Sequence, residues 1–334
     1  MLTRRQLFVA PLLLGGCGRS EVARDRPLFV ADAHPSEYPT VQALFAIDRI
    51  LAERTGGEMR VRVYSGGQLG SEEDTLEITI FGGIDMNRVN LAPLNSIVPE
   101  TIVLALPFLF RDTEHLRQAV DGAPGRKILD ALSPHGLKGL CYYDSGGRSF
   151  YNTKRAIHTP SDLRGMKIRV QNSDIYVAMV QALGANPTPM PYGEVYQALV
   201  QGVVDGAENN WPSYESSRHF EVARHYSLTR HVLAPEVLVA SERTWQKLDE
   251  RQQHHLQAAA YESVSIMRDL WDQRVNDARR RMLESGIEVV EDVDHDAFVE
   301  LMLPVWDRFL TTPKLRELSQ EITQINNFDT AAPG

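Results

Sequence analysis

Cysteine is nearly missing: the 334 residues carry two, Cys17 and Cys141. A chain of this length with so few thiols cannot lean on a disulfide framework and must rest on its core. Positive charge is also short. Thirty-five Lys and Arg face 44 Asp and Glu, a formal charge of −9. Such an acidic chain is a poor match for nucleic acid, and it repels an anion at long range. Any anion site must therefore use local, convergent donors. Beyond the N-terminus no apolar run approaches the ~20 residues that span a bilayer. HExxH, CxxC, P-loop, GxSxG and GxGxxG motifs are all missing, so an enzymatic reading has no motif behind it. No metal or cofactor is expected. Low-complexity tracts and internal repeats are lacking as well.

What is present begins with "MLTRRQLFVAPLLLGGCGRS". Arg4 and Arg5 precede a short apolar stretch, Leu7 to Leu14, broken by Pro11 and followed by Gly15, Gly16 and Cys17. That is the layout of an export signal, too short for a permanent span. "TRRQLF" resembles a twin-arginine signal and "LGGC" a bacterial lipobox. The expectation is a signal peptide over 1–16, cleavage before Cys17 and acylation of that cysteine, with the protein held in the periplasm. The bland alternative is an ordinary signal with Cys17 near the cleavage site by chance. Cleavage would remove two arginines and no acid, leaving 318 residues with a charge of −11. One acyl chain anchors weakly, whereas several hold firmly. Residues 17–26 read as a polar tether.

The remaining length suits two domains. "PLFVADAH" is a first strand; helical spacing over 39–55 ends at Gly56-Gly57; "MRVRVYSG" alternates as a strand. Ser71 and Asp74 look like an N-cap and its N3 acid, opening a helix that Gly82-Gly83 closes. "IDMNRVN" and "LKGLCYYD" are further strands. The rhythm restarts after Gly146: "RSFYNT" a strand, "TPSDLRG" a turn and short helix, "MKIRVQ" a strand, "DIYVAMVQALGA" a helix, "NPTPMP" a connector, then a helix and a short strand through "GEVYQALVQGVVDGAENN". "EVLVAS" at 236–241 could return to the first lobe, and Leu248 to Ser285 has neither Gly nor Pro. The expected architecture is α/β: two lobes, largely parallel sheets, crossing strands and a long strap helix. Lobe I takes 27–145 plus about 234–273, and lobe II 146–233 plus about 274–330. Ligands of such clamshells sit in the cleft, and closure about the crossings is the expected motion.

Polar residues need weighing one by one. Arg169 lies on the polar side of "KIRVQ", and Arg148 follows Gly146-Gly147. Arginine suits a carboxylate gripped by two parallel hydrogen bonds, although a solvated surface arginine is commoner. Asn209 and Asn210 carry donors and acceptors that suit hydroxyl-rich ligands. Trp211 could stack on a sugar but reads better as packing. Glu208 lacks a partner carboxylate for acid–base work. Glu72 and Glu73 open a helix, where acids ordinarily offset the dipole; the sharper reading makes Glu72 a hydroxyl acceptor. His254 and His255 point about 100° apart on a helix and read as surface residues.

The segment "TPSDLRGMKIRVQNSDIYVAMVQALGANPTPMPYGEVYQALVQGVVDGAEN" strongly resembles the signature region of TRAP (tripartite ATP-independent periplasmic) transporter substrate-binding subunits, the DctP-type family. "YSGGQLGSEEDTLEITIFGGIDM" and "LALPFLF" are similar to the same family, and the likeness covers about 27–325. The resemblance implies a clamshell that binds organic acids and delivers them to a membrane permease pair driven by an ion gradient, without catalysis. It implies that Arg169 pairs with the ligand carboxylate and Arg148 is a second contact. Asn209, Glu72, Asn90 and Asn172 fall on neighbouring ligand positions. "DMNRVN", "SGGRSFYNT" and "DGAENNWPSYESSRHFEVA" look closest to the branch that binds glucuronate and galacturonate. His34 and Glu236 could supply further hydroxyl contacts. A C4-dicarboxylate or sialic acid ligand, a sensory role beside a membrane kinase, and an exported uronate lyase or isomerase are the competing readings.

Overall fold

The computed structural model describes residues 26–325. The expected signal, Cys17 and most of the tether lie outside the described residues.

The first lobe is built from β1 (Leu28–Ala31), α1 (Pro39–Thr55), β2 (Val61–Tyr64), α2 (Glu72–Ile80), β3 (Met86–Asn90), α3 (Thr101–Leu104), α4 (Thr113–Asp121), α5 (Ala123–Ala131) and β4 (Leu137–Tyr143). The second carries β5 (Gly147–Asn152), β6 (Lys167–Val170), α6 (Asp174–Ala182), β7 (Asn186–Pro189), α7 (Val195–Val200), β8 (Gly206–Asn209), α8 (Trp211–Ser216) and β9 (His225–Leu233). The chain then recrosses through β10 (Glu236–Ser241), α9 (Glu242–Trp245), α10 (Glu250–Glu284), β11 (Glu288–Val290), α11 (His295–Phe309) and α12 (Pro313–Thr323).

One sheet has the order β2-β1-β3-β10-β4 and the other β11-β9-β5-β8-β6-β7. Both are mixed, not largely parallel as the strand–helix rhythm predicts. The reason lies in the crossings. β4 and β10 pair antiparallel in the first sheet, β5 and β9 pair antiparallel in the second, and Tyr143↔Glu236 and Gly147↔Leu233 flank the junction. A single bent ribbon therefore runs through both lobes, and only strands joined by helices pair parallel. Gly146 sits in that bend at φ +63, a conformation that disfavours a side chain, with the Trp271 ring 3.2 Å from where a Cβ would stand.

The stretch 186–189, expected as connector, is strand β7, in register with β6 from Lys167↔Asn186 to Val170↔Pro189. Its two prolines disguise it, and its place at the sheet edge tolerates them. The Ser71 box is formed: Ser71 Oγ accepts from Asp74 N (3.2 Å) and Asp74 returns a contact to Ser71 N (3.2 Å).

Helix α10 is one element of 35 residues, capped by Asp249, hence roughly 50 Å long. Its first two-thirds bury Leu256, Ala259, Ala260, Met267 and Trp271 with α1 and the first sheet; its last turns bury Ala278 and Met282 with α8 in the second lobe. It is the strap. The C-terminus departs from the expected boundary: α11 packs on α6 of the second lobe, but α12 packs on α3 and α5 of the first. His115 Nε2 lies 2.8 Å from the Ile322 carbonyl, and Lys127 pairs with Glu321.

Candidate functional site

A cavity opens where the ends of the strands from both sheets meet. It takes in about 320 Å³ of atom-free space, the solvent at its mouth included, and is lined by His34, Glu72, Asn90 and Glu236 from the first lobe and Arg148, Arg169, Gln171, Tyr192, Asn209 and Ser213 from the second. The lobes touch around it. Tyr38 Oη lies 2.9 Å from Ser213 Oγ, Asn210 donates to the Ser145 carbonyl at 2.8 Å, and Asn95 donates to Ser173 Oγ at 2.8 Å.

Three buried arginines shape the electrostatics. Arg148, 2% exposed, is held by Glu208: Nε reaches one carboxylate oxygen at 2.5 Å and Nη2 the other at 2.7 Å. Its Nη1 donates to Asn209 Oδ1 at 3.1 Å. With its amide oxygen turned to the guanidinium, Gln171 accepts from Nη1 and Nη2 at 3.2 Å. Burial alone would raise the Glu208 carboxyl, but Arg148 and the neighbouring His231 outweigh it and hold it at about 2. Glu208 is thus a permanent counter-ion and no acid–base catalyst.

Arg88 is fully buried in the first lobe. Its Nε donates to Asp32 at 2.9 Å, Nη2 to the other Asp32 oxygen, and Nη1 to Glu72 at 2.9 Å. Nη2 also lies 2.6 Å from His34 Nδ1. The same Nδ1 lies 3.2 Å from Asp32 Oδ1, so the ring stands between the guanidinium and the carboxylate. Burial works against the Asp32 carboxylate, yet Arg88 and His34 hold it well below the usual range.

Arg169 is different. It is 3% exposed, and its Nε and Nη2 both donate to the Met190 carbonyl, at 3.0 and 2.7 Å. Among the described residues it pairs with no carboxylate. Burial lowers its affinity for the proton, the field of Glu208 offsets part of that, and Arg148 adds to the lowering. A buried guanidinium with no counter-ion is costly, and its free edge is a ready seat for an anion.

Of the residues expected at the site, Arg169, Arg148, Asn209, Glu72, Asn90, His34 and Glu236 all line the cavity. Asn172 does not: it is exposed. Strand alternation explains the miss, because Arg169 and Gln171 share one face and Asn172 takes the other. Gln171 should have been read from that period. So should Arg88, which precedes Asn90 by two residues in "NRVN". Tyr192 and Ser213 carried no periodic signal. Trp211 packs, stacked on Tyr226 at 3.9 Å between centroids. A wider, open groove lies on the outer side of the first lobe between α4, α5 and α10. Its Arg117 and Arg268 are already paired with Asp144, Asp272 and Asp121 and its Arg126 is exposed, so it offers no buried unpaired cation like Arg169.

Two lobes joined by a bent ribbon, a strap helix and a closed polar cleft holding an uncompensated arginine define a solute-binding protein of the clamshell class. The chain belongs to the DctP family, bacterial extracellular solute-binding protein family 7, which matches residues 30–312. It is 41% identical over 290 residues to a solute-binding protein of Chromohalobacter salexigens, covering 86% of each chain. Among solved structures it is similar to a TRAP periplasmic solute-binding protein from Bradyrhizobium sp. BTAi1 in complex with α/β-D-galacturonate. That pair shares 51% identity and a TM-score of 0.89, over 90% of this chain and 100% of the other. A counterpart from Roseobacter denitrificans with bound β-D-glucuronate shares 39% identity and a TM-score of 0.88, again over 90% and 100%.

Proposed function

We propose that this protein captures a hexuronate, D-glucuronate or D-galacturonate, in the interlobe cleft and hands it to the membrane permease of a TRAP transporter. The observation that carries the reading is Arg169, buried and without a carboxylate partner among the described residues. The ligand carboxylate lies against its free edge and completes a charge pair that the protein leaves open. Arg148 and Asn209 flank that carboxylate, while Glu72, Asn90, His34 and Glu236 meet the sugar hydroxyls. The uronates named for the two similar structures support this ligand class. On this reading residues 1–16 direct export to the periplasm, and acylated Cys17 tethers the protein to the membrane that holds its permease.

The test is a thermal-shift screen of the purified protein against glucuronate, galacturonate, glucose, malate, succinate and sialic acid. Ligand stabilises by RT ln(1 + [L]/Kd), about 4 kcal/mol at a thousandfold excess over Kd. The expected result is a shift for the uronates alone, lost in Arg169→Ala at a cost of about 2–5 kcal/mol in binding. A shift for malate or succinate alone sinks the uronate assignment and keeps the family. Acylation is read by mass spectrometry of protein from a membrane fraction, before and after Cys17→Ala.

A further inference from the structure

The two walls of the cleft carry opposite charge. On the second-lobe wall Arg148 and Arg169 face one acid, Glu208. On the first-lobe wall a single guanidinium, Arg88, serves three carboxylates, Asp32, Glu72 and Glu236. Counting arginines against carboxylates, the first wall is short of two positive charges and the second has one to spare.

The shortage falls on Glu236. Asp32 takes two arms of Arg88, and Glu72 takes the third together with two contacts from Asn90 Nδ2 at 3.0 Å. Glu236 Oε2 lies 3.3 Å from Arg88 Nη1 without the alignment of a hydrogen bond. That oxygen is buried and has no hydrogen-bond partner among the described residues. Its sister Oε1 receives only Ser145 Oγ, at 3.3 Å. Burial raises the Glu236 carboxyl, Arg88 and His34 resist, and Asp32 and Glu72 push it further. Register fixes where it points. Glu236 stands opposite Asn90 on one side and Tyr143 on the other, at the bend of the ribbon, and lines the cavity.

We infer that Glu236, with Glu72, forms an acceptor wall that takes ligand hydroxyls and turns away a second carboxylate, restricting the cleft to sugar acids ionised at one end. A hydroxyl donating to Glu236 Oε2 satisfies an orphaned buried oxygen. A carboxylate at the same place would have no hydrogen to donate and would bring a further negative charge to a wall already short of cations. The inference rests on the uronate reading and sharpens it. The ligand lies polarised, acid end on Arg169 and hydroxyl end on Glu236 and Glu72, and the excluded class is the aldaric acids, which carry the same six carbons oxidised at both ends.

Isothermal titration with galacturonate and with galactarate tests this on the wild type, Glu236→Gln, Glu72→Gln and the double variant. Gln keeps the shape of Glu, removes its charge and puts N–H donors where an acceptor stood, so any change in the ratio of the two affinities reports charge and hydrogen bonding and not fit. The wild type should prefer galacturonate by at least 100-fold. Each single variant should shift the galactarate-to-galacturonate ratio at least tenfold toward the diacid, while still binding galacturonate. Glu72 is less buried than Glu236, so its variant serves should Glu236→Gln fold poorly. Wild type that binds both ligands within threefold overturns the inference and leaves the uronate reading intact. So does a double variant in which galactarate stays undetectable or both affinities fall by the same factor. Wild type that binds neither acid removes the uronate reading, and the inference falls with it.

Discussion

Arg88 and Arg169 are two buried arginines, one on each wall of a single cleft, and their surroundings could hardly differ more. Arg88 is enclosed by Asp32, Glu72 and Glu236; among the described residues Arg169 donates only to a backbone carbonyl. Burial alone therefore does not distinguish a structural arginine from a ligand arginine. Charge balance does. A guanidinium whose counter-ions belong to the protein holds the fold, and one left open implies that the counter-ion arrives from outside.

The contrast breaks most readily at Arg88. Replacing it with Met leaves Asp32 buried with no cation, which costs about 3–5 kcal/mol. Urea unfolding should show that loss without ligand, and a midpoint equal to wild type would mean that the acids find other partners. Arg169→Met should do the reverse. The ligand-free protein should be as stable as wild type or more so, since an unpaired buried charge is replaced by an apolar chain. The uronate-linked stabilisation should vanish. A variant of Arg169 that unfolds as readily as that of Arg88 would make the two arginines equivalent and end the comparison.

The distinction was half legible in the sequence. Period-two alternation in "KIRVQ" placed Arg169 on a strand face, and the same alternation points to Gln171 and away from Asn172. The Ser71 box and the Gly/Pro-free stretch behind α10 read directly, because caps and helix length are local properties. Strand β7 did not, since its prolines are tolerated by an edge position that only the assembled sheet reveals. The Arg88 cluster was hidden for a related reason. Asp32, Glu72, Arg88 and Glu236 come from four elements spread over about 200 residues, and no spacing rule links them. Nor does composition show that Arg169 lacks a partner in a chain with more acids than bases.

Acid should expose the same asymmetry through His219. Its ring is buried with Nδ1 2.7 Å from Tyr151 Oη; burial, joined by the positive field of Arg169, lowers it to about 3. The unfolded ring titrates near 6.5. A depressed folded pKa means the contribution is complete above about 6.5 and is lost as pH falls toward 3, at about 1.4 kcal/mol per unit. Wild type should therefore lose about 2 kcal/mol more than His219→Gln between pH 6.5 and pH 5. Bound galacturonate should shrink the difference, because a carboxylate on Arg169 cancels part of the field that His219 feels. Parallel pH curves for the two proteins would remove His219 from the account.

The smallest effect concerns how the two walls are held together. Tyr38 belongs to the first lobe and Ser213 to the second, and their 2.9 Å contact exists only while the lobes are closed. Tyr38 also stacks on His34 at 3.9 Å between centroids, a contact within its own lobe that Phe keeps. Tyr38→Phe thus removes one cross-lobe hydrogen bond and little else, a cost of about 0.5–1.5 kcal/mol to the closed form. Uronate affinity should fall by a factor of roughly 2–10, mostly as faster dissociation, since opening precedes release. Stopped-flow release of galacturonate reads this directly. A slower association with unchanged dissociation would place the Tyr38 hydroxyl on the entry path instead of in the latch.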